Sequence, residues 1–173
     1  MNYFNTSDVA ETTQTSFSIS HENGVVKMTF TDTGYSLIDD SDYIDKFAFK
    51  LLSFAPNNVL ICGLGLGTIA EWLVRNRNCS IDVIENNNEL ITWTNNNNHL
   101  NPKINIIEAD AINYTPTKKY DLIIVDVYWL EETSRIENEY QSYVDNYKSH
   151  LSNWGVIYLP IKTMALNSNE EIV

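Results

Sequence analysis

Short apolar runs alternate with helical patterns along the second part of the chain, and this alternation restricts the fold more than any other feature. Five runs rich in Ile and Val follow one another in the segments VLIC, SIDVIE, INIIE, YDLIIV and GVIYL. Helical patterns lie between several of them, over residues 68–77, 87–100 and 135–151. Buried strands joined by helical crossovers form parallel sheets that are covered on both faces. The sequence therefore predicts a doubly wound, Rossmann-like α/β sheet.

The region before these runs carries the signals of a separate small unit. Residues 1–15 are polar and rich in Thr and Ser, which predicts a frayed tail. Further along, Asn23-Gly24 separates two alternating segments, and this dipeptide favours the type I′ turn of a β-hairpin. A helical pattern follows the hairpin. We therefore expect a hairpin-and-helix unit over residues 16–55 and a Rossmann-like domain over residues 56–173.

Three glycines follow the first apolar run at every second position, as Gly63, Gly65 and Gly67. Glycine inside a regular element costs roughly 0.5–1 kcal/mol relative to alanine, so three of them indicate that a ligand approaches the backbone closely. In a doubly wound sheet such a turn lies at the carboxyl end of the first strand, where ligands bind. A dinucleotide fingerprint needs Gly or Ala at position 68, and the chain has Thr68 there. The spacing is that of sites for S-adenosylmethionine (SAM).

Acidic residues end the next three strands of the predicted sheet. Glu85 ends the second strand, where a carboxylate can accept hydrogen bonds from both hydroxyls of a ribose. Asp110 follows the third strand, where it can accept from an adenine amino group while Ala111 lines the base. Asp126 ends the fourth strand. Carboxylates that end consecutive parallel strands beside a glycine turn converge on a single site.

Charge and composition limit the partners of this site. The chain has 173 residues and a formal net charge of -12, which repels phosphate backbones and argues against nucleic acid. A neutral or cationic small molecule fits this charge better. The two cysteines and three histidines have no metal-binding spacing, so we expect no metal. The N-terminus lacks the pattern of a signal peptide and no apolar run is long enough to span a membrane, so the expected location is cytoplasmic.

The motifs VLICGLGLGT, VIENN, IIEADAINY and YDLIIVD resemble the core of the class I SAM-dependent methyltransferases, over roughly residues 56–160. Within that superfamily the chain looks most similar to the polyamine aminopropyltransferases, the spermidine synthase group. The resemblance implies SAM or decarboxylated SAM as the cofactor. It places the glycines at the methionine part, Glu85 at the ribose and Asp110 with Ala111 at the adenine. Asp126 would deprotonate an amine acceptor, and Tyr43 in DDSDYID would reach over the site as a second catalytic residue.

The chain also departs from both patterns. Aminopropyltransferases have an aspartate for the terminal amine of their cofactor where this chain has Leu66. Most methyltransferases have an acidic residue two positions before the first glycine, and Ile61 stands there. The chain stops soon after the fifth strand, so we expect the usual C-terminal antiparallel strand pair to be absent, with a homodimer as one way to cover that edge.

These observations leave three functions open. The first is a SAM-dependent transferase that moves a methyl or an aminopropyl group to a small-molecule acceptor, such as a cationic amine. The second is a SAM-binding protein of the same fold without transferase activity. The third is a module for NAD or a nucleotide sugar, which the glycine spacing disfavours.

Overall fold

The computed structural model describes residues 7–32, 34, 36–38, 51, 53–127, 133–160 and 164–173. The first unit is an antiparallel sheet of four strands in the order β1-β2-β3-β4. Its strands are β1 (Thr12–Thr13), β2 (Phe17–Glu22), β3 (Val25–Phe30) and β4 (Ser36–Ile38). We call this unit the N-terminal sheet.

The second unit is a sheet of six strands flanked by helices. Five strands run parallel: β5 (Asn58–Cys62), β6 (Ser80–Glu85), β7 (Ile104–Glu108), β8 (Tyr120–Val125) and β9 (Leu151–Leu159). The sixth strand, β10 (Met164–Leu166), is antiparallel to β9. The helices are α1 (Thr68–Asn76), α2 (Asn88–Asn97) and α3 (Thr133–Tyr147), and a 3₁₀ turn over Lys148–His150 follows α3.

The order of the strands, β10-β9-β8-β5-β6-β7, determines where a ligand can bind. The chain builds outward from β5 through β6 to β7 and then returns to β8 on the other side of β5. Because this reversal separates the connections that leave β5 and β8, a crevice opens at the carboxyl ends of these two strands. The crossover from β7 to β8, residues 109–119, contains no helix, although the structure describes all of it.

The central strands are buried on both faces because each face is covered by a different set of elements. On one face, residues such as Val59 and Ile61 pack with α1, α2 and the N-terminal sheet. On the opposite face, Leu60 and Cys62 pack against the buried tyrosines of α3. This explains why β5 and β8 consist of continuous apolar runs rather than alternating ones.

Much of the architecture predicted from the sequence is confirmed. The parallel sheet has the five expected strands, and the hairpin turns at Asn23 and Gly24, which have φ values of 52° and 80°. These positive φ values at both positions are those of a type I′ turn. The helix expected before Pro56 falls largely on residues 39–50, which lie outside the described part of the chain.

The two ends of the described chain add detail to the prediction. Within the expected tail over residues 1–15, Val9 is buried and Thr12–Thr13 pairs with β2, whereas Ser7 and Asp8 are exposed. The sequence predicts that the usual pair of antiparallel strands is absent after β9, and in the described chain one short antiparallel strand, β10, pairs with β9.

Two further features are the state of the cysteines and the character of the helices. Both cysteines, Cys62 and Cys79, are buried and free. Among the helices described, none has the length and apolar character that crossing a membrane requires.

We predict that Asp121 stabilises the amino-terminal edge of the parallel sheet. Its carboxylate accepts hydrogen bonds from the backbone N–H groups of Asn57 and Asn58, both at 3.0 Å, and from Ser152 Oγ at 2.7 Å. Burial alone would raise the pKa of Asp121, but these hydrogen bonds lower it overall below its ordinary value of 3.8. The stabilisation is therefore present above pH 4 and is lost as the pH falls through the lowered pKa.

Replacing the carboxylate in Asp121→Asn should lower the free energy of unfolding by about 1–2 kcal/mol at pH 7. The difference from the wild type should narrow toward pH 3, as measured by urea denaturation across this range. Asp145→Asn, which changes an exposed carboxylate on α3, is the control and should leave stability nearly unchanged. A difference that stays constant between pH 7 and pH 3 would contradict the assignment.

Candidate functional site

The glycine turn after β5 brings backbone into contact with the end of β8. Gly63 has a φ of 97°, and its N–H donates to the carbonyl of Ile84 at 2.9 Å. A Cβ at this position would lie 2.5 Å from the carbonyl oxygen of Asp126. Gly65 has a φ of 51°, which is also a left-handed conformation. The positive φ values at both positions favour glycine. At Gly63 the short approach to Asp126 leaves no space for a side chain either.

The third glycine begins helix α1. Gly67, at a φ of 78°, is the N-cap of α1, and its N–H donates to the carbonyl of Leu64 at 2.8 Å. A Cβ here would lie 2.6 Å from Leu100 Cδ2. Gly67 is buried and does not line the cleft described below. It shapes the turn and allows close packing behind it.

The loop that carries these glycines is also held from behind by a histidine. His99 Nε2 lies 3.3 Å from the carbonyl oxygen of Leu66, and its Nδ1 lies 2.9 Å from the side-chain amide of Asn97. Burial lowers the pKa of His99, so the ring is neutral at neutral pH. A neutral ring can donate from Nε2 to Leu66 while Nδ1 accepts from the amide.

Glu85 connects three segments of the site through its carboxylate. Oε2 accepts a hydrogen bond from the N–H of Leu64 at 3.0 Å, which fixes the glycine turn. Oε1 accepts from the N–H groups of Asn86 and Asn87, at 2.9 and 2.8 Å, at the start of α2. A carboxylate has about four acceptor positions, so one position remains for a ligand. The sequence predicts that both hydroxyls of a ribose can donate to Glu85. With three backbone N–H groups already bonded to the carboxylate, one acceptor position is open to such a hydroxyl.

A cleft of about 330 Å³ lies between these segments. Its volume is within the range of small-molecule sites, about 300–1,000 Å³. It is lined by residues from the glycine turn, the ends of β6, β7 and β8, one residue of the N-terminal sheet and one of α3: Phe30, Gly63, Leu64, Gly65, Ile84, Glu85, Asn86, Asn87, Ala109, Asp110, Ala111, Ile112, Asp126, Val127 and Tyr143.

Asp110 begins the loop that follows β7. Its Oδ1 accepts from the N–H of Ile112 at 3.2 Å, and its Oδ2 accepts from Asn113 Nδ2 at 2.8 Å. These bonds fold residues 110–113 into a turn whose carboxylate is exposed at the cleft. The turn replaces a helix at this position and presents Ala111 to the cleft.

Helix α3 holds this turn in place through two hydrogen bonds. The buried hydroxyl of Tyr147 donates to the carbonyl oxygen of Ala111, and Asn146 Nδ2 donates to the carbonyl of Tyr114 at 2.8 Å. The Tyr147 hydroxyl also forms a hydrogen bond with Cys62 at the end of β5. The ring of Tyr147 stacks on that of Tyr143, with centroids 6.3 Å apart, and Tyr143 lines the cleft.

Asp126 lies at the opposite side of the cleft, directly after β8. Its N–H donates to the carbonyl of Cys62 at 2.9 Å, and its side chain is half-buried. Burial, and then the charge of Asp126, raise the pKa of Tyr158. Burial also raises the pKa of the Cys62 thiol to about 12, so this cysteine stays protonated and unreactive at neutral pH.

The structure brings six of the predicted site residues to the same cleft. They are Gly63, Gly65, Glu85, Asp110, Ala111 and Asp126. Tyr43 lies outside the described residues, as do Tyr128 and Trp129, which the sequence places after Asp126.

Sequence reasoning missed two aromatic residues of the cleft, Phe30 and Tyr143. Phe30 belongs to an alternating strand, and Tyr143 belongs to a long polar helix, so neither has a local signal for a site.

The lining is acidic. It contains the carboxylates of Glu85, Asp110 and Asp126, and no Lys, Arg or His is among its described residues. Such a lining favours a cationic or neutral ligand over one with a pyrophosphate group. No group of three or more His, Cys, Asp or Glu side chains suited to a metal ion occurs in the described chain.

Comparison with solved structures determines the fold family. The N-methyltransferase NodS from Bradyrhizobium japonicum WM9 aligns with a TM-score of 0.52 at 20% identity, over 70% of this chain and 69% of that one. A SAM-dependent methyltransferase from Clostridium acetobutylicum ATCC 824 aligns at 0.53 and 20% identity, over 69% of this chain and 50% of that one. The fold is that of the class I methyltransferases.

Similarity in sequence is more limited. A segment of 91 residues, 51% of this chain, is 29% identical to malonyl-[acyl-carrier protein] O-methyltransferase 1 from Ilyobacter polytropus. The chain spans about a third of that relative, since the segment covers 34% of its length. No family model matches the chain. These three relatives are methyltransferases and do not support the predicted likeness to the aminopropyltransferase branch.

We predict that Tyr147 controls the order of the turn at residues 110–113. Removing its hydroxyl in Tyr147→Phe leaves the buried carbonyl of Ala111 without this donor, which costs about 1–3 kcal/mol. The backbone amides of Ile112 and Asn113 should exchange with deuterium several-fold faster. Hydrogen-exchange mass spectrometry measures this effect.

Tyr120→Phe is the matched control. Tyr120 is also buried, and its hydroxyl donates to Asp82 Oδ2 at 2.7 Å, but it lies at the start of β8, away from the cleft. This variant should lose stability without faster exchange at residues 110–113. Equal exchange of this turn in the two variants would contradict the role of Tyr147.

Proposed function

We propose that the cleft binds SAM and that the chain acts in methyl transfer to a small-molecule acceptor. The observation that carries this proposal is the composition of the cleft. A glycine turn and three carboxylates from the ends of neighbouring strands line it, and its described lining contains no basic side chain. Two negative charges of a dinucleotide would be unfavourable there, whereas an adenosyl sulfonium is favoured.

The residues of the cleft fit the parts of SAM. The free acceptor position of Glu85 suits a ribose hydroxyl, and its bonds to Asn86 and Asn87 hold it at the cleft. The exposed carboxylate of Asp110 can accept from an adenine amino group, with Ala111 against the base. The glycine turn leaves its backbone open to the amino-acid part, because neither Gly63 nor Gly65 has a side chain there.

When bound, SAM supplies a methyl group that is activated by a positively charged sulfonium. The protein then has to hold the acceptor in line with that group and exclude competing water. Asp126 is the candidate to accept a proton from the acceptor, since it lies half-buried at the cleft beside the first glycine. The rings of Phe30 and Tyr143 provide apolar walls.

Leu66 favours methyl transfer over aminopropyl transfer. Its side chain is buried and does not line the cleft, so position 66 offers no group for the terminal amine of decarboxylated SAM. The similarity to methyltransferases supports the same choice. The acidic lining is the feature of the cleft that favours a cationic or neutral small-molecule acceptor.

Calorimetric titration with SAM, S-adenosylhomocysteine, decarboxylated SAM and NAD tests the proposal. We expect micromolar binding of SAM and S-adenosylhomocysteine, at least ten-fold weaker binding of decarboxylated SAM and no measurable binding of NAD. Tighter binding of decarboxylated SAM would favour aminopropyl transfer. Failure of both SAM and S-adenosylhomocysteine to bind would contradict the proposal.

A second prediction separates binding from folding. Gly65→Val places a β-branched side chain at a positive φ and fills the turn beside the cleft, so affinity for S-adenosylhomocysteine should fall at least 100-fold. Gly34→Val is the matched control, because Gly34 has a φ of 67° and no atom within 4 Å of an added Cβ.

Both variants should lose comparable stability in thermal denaturation, on the order of 1–2 kcal/mol, since both strain the backbone. Only Gly65→Val should lose affinity. Unchanged binding by a folded Gly65→Val protein would show that the ligand lies elsewhere.

A further inference from the structure

The N-terminal sheet reaches the cleft through a single described residue. Phe30 is the last residue of β3, and its half-buried ring lines the cleft together with Glu85, Asn86 and Asn87. It is paired in register with Phe17 on β2. The aromatic ring therefore comes from a unit that lies outside the parallel sheet and precedes it in the chain.

A network of hydrogen bonds attaches this sheet to the start of α2. The N–H and Oγ of Ser16 both donate to Glu89 Oε2, at 2.9 and 2.7 Å. Asn87 Nδ2 donates to Ser16 Oγ at 2.9 Å. The hydrogen bonds from Ser16 lower the pKa of Glu89, which keeps its carboxylate ionised at neutral pH.

Asn87 links the hydrogen bonds of Ser16 to the cleft. Its side-chain oxygen accepts from the N–H of Leu90 at 3.1 Å and so caps α2. Its own N–H donates to Glu85 Oε1. Ser16 is thus two hydrogen-bonded steps from the carboxylate that we assign to the ribose. A shift of the N-terminal sheet would move Asn87 and disturb Glu85.

Two further contacts fix the sheet along the length of α2. The ring of Phe17 meets that of Trp93 edge-on, with centroids 5.9 Å apart. At the end of the helix, Asn97 Oδ1 accepts from the N–H of Ala10 at 2.9 Å. Attachment at the start, middle and end of α2 leaves little freedom for the sheet to move as a body. Phe30 is therefore held at the cleft rather than carried on a free arm.

We propose that Phe30 is a ligand-contacting residue of the adenosyl site and that Ser16 is the positioning residue that holds it there. This inference rests on the proposed function, because it takes an adenosyl compound as the ligand. The residue after Phe30, Thr31, donates its N–H to the carbonyl of Ser16 at 2.9 Å. Because Ser16 is in turn hydrogen-bonded to Asn87, this end of β3 lies on the side of the cleft that holds the residues assigned to the ribose. The ring contacts the nucleoside part of the ligand, and the amino-acid part lies toward the glycine turn.

Two ligands distinguish contact of Phe30 with the nucleoside from contact with the amino-acid part. S-Adenosylhomocysteine contains both parts, whereas 5′-methylthioadenosine contains the nucleoside without the amino acid. If Phe30 contacts the nucleoside, Phe30→Ala weakens binding of both compounds by a similar factor, about ten-fold. If the ring instead met the amino-acid part, only binding of S-adenosylhomocysteine would weaken.

Phe54→Ala is the matched control for Phe30→Ala. Phe54 and Phe30 are both partly buried and pack against the same core cluster, but only Phe30 lines the cleft. Both variants should lose stability, as measured by denaturation. Only Phe30→Ala should change the dissociation constants. Phe30→Tyr retains the ring and should restore affinity to within about two-fold of the wild type.

Ser16→Ala tests the positioning role without touching the cleft. It removes the hydroxyl that Asn87 and Glu89 contact, and affinity for both compounds should fall about three- to five-fold. Combining it with Phe30→Ala should weaken binding by less than the product of the two single effects, since Ser16 positions the ring of Phe30 as well as Asn87. Ser20→Ala, on β2 of the same sheet, is the control and should bind as the wild type does.

The outcomes distinguish the two proposals. If the wild type does not bind S-adenosylhomocysteine, the proposed function fails. If the wild type binds and Phe30→Ala binds both compounds within two-fold of it, the present inference is overturned while the proposed function stands. Should Phe30→Ala fail to fold, Phe30→Leu replaces it, with the same two dissociation constants and an expected loss of at least three-fold.

Discussion

The carboxylate of Glu85 is the interaction on which the rest of the site depends. It accepts hydrogen bonds from the N–H groups of Leu64, Asn86 and Asn87, and so joins the glycine turn after β5 to the start of α2. These N–H groups belong to segments that leave neighbouring parallel strands, where backbone donors lack partners within the sheet. One carboxylate accepts from all three N–H groups and leaves one acceptor position for a ligand. The cleft is thus organised before any ligand enters, which lowers the entropic cost of binding.

The walls of the cleft are held by elements that do not themselves form the glycine turn. Helix α3 supports the turn at residues 110–113 through Tyr147, in place of the helix that is absent between β7 and β8. On the other side, the N-terminal sheet is attached to α2 through Ser16 and contributes Phe30. Side chains fixed by packing and by hydrogen bonds give a more exact site than side chains on free loops. The elements in the described part of the chain therefore support a well-defined cleft.

The sequence predicts the parts of this structure that follow from local patterns. Apolar runs and turn residues identify the five parallel strands and the hairpin at Asn23, since burial on both faces and a positive φ each restrict residue type. Strand ends bring Glu85, Asp110 and Asp126 to one edge. The role of Gly67, the number of free positions on Glu85 and the presence of Phe30 were not predictable. Each depends on a partner far away in sequence. The partner is Leu100 for Gly67, the N–H of Leu64 for Glu85, and the docked N-terminal sheet for Phe30.

A crystal structure of the protein with S-adenosylhomocysteine would test the assignment of this cleft directly, because it shows where the ligand lies. We expect electron density for the ligand in the cleft, with a ribose hydroxyl donating to Glu85, the adenine beside Asp110 and Ala111, and the amino-acid part over Gly63 and Gly65. Glu85 should keep its hydrogen bonds to Leu64, Asn86 and Asn87 when the ligand is present. Density for the ligand at another surface, or a cleft that stays empty at saturating ligand, would contradict the assignment of this site.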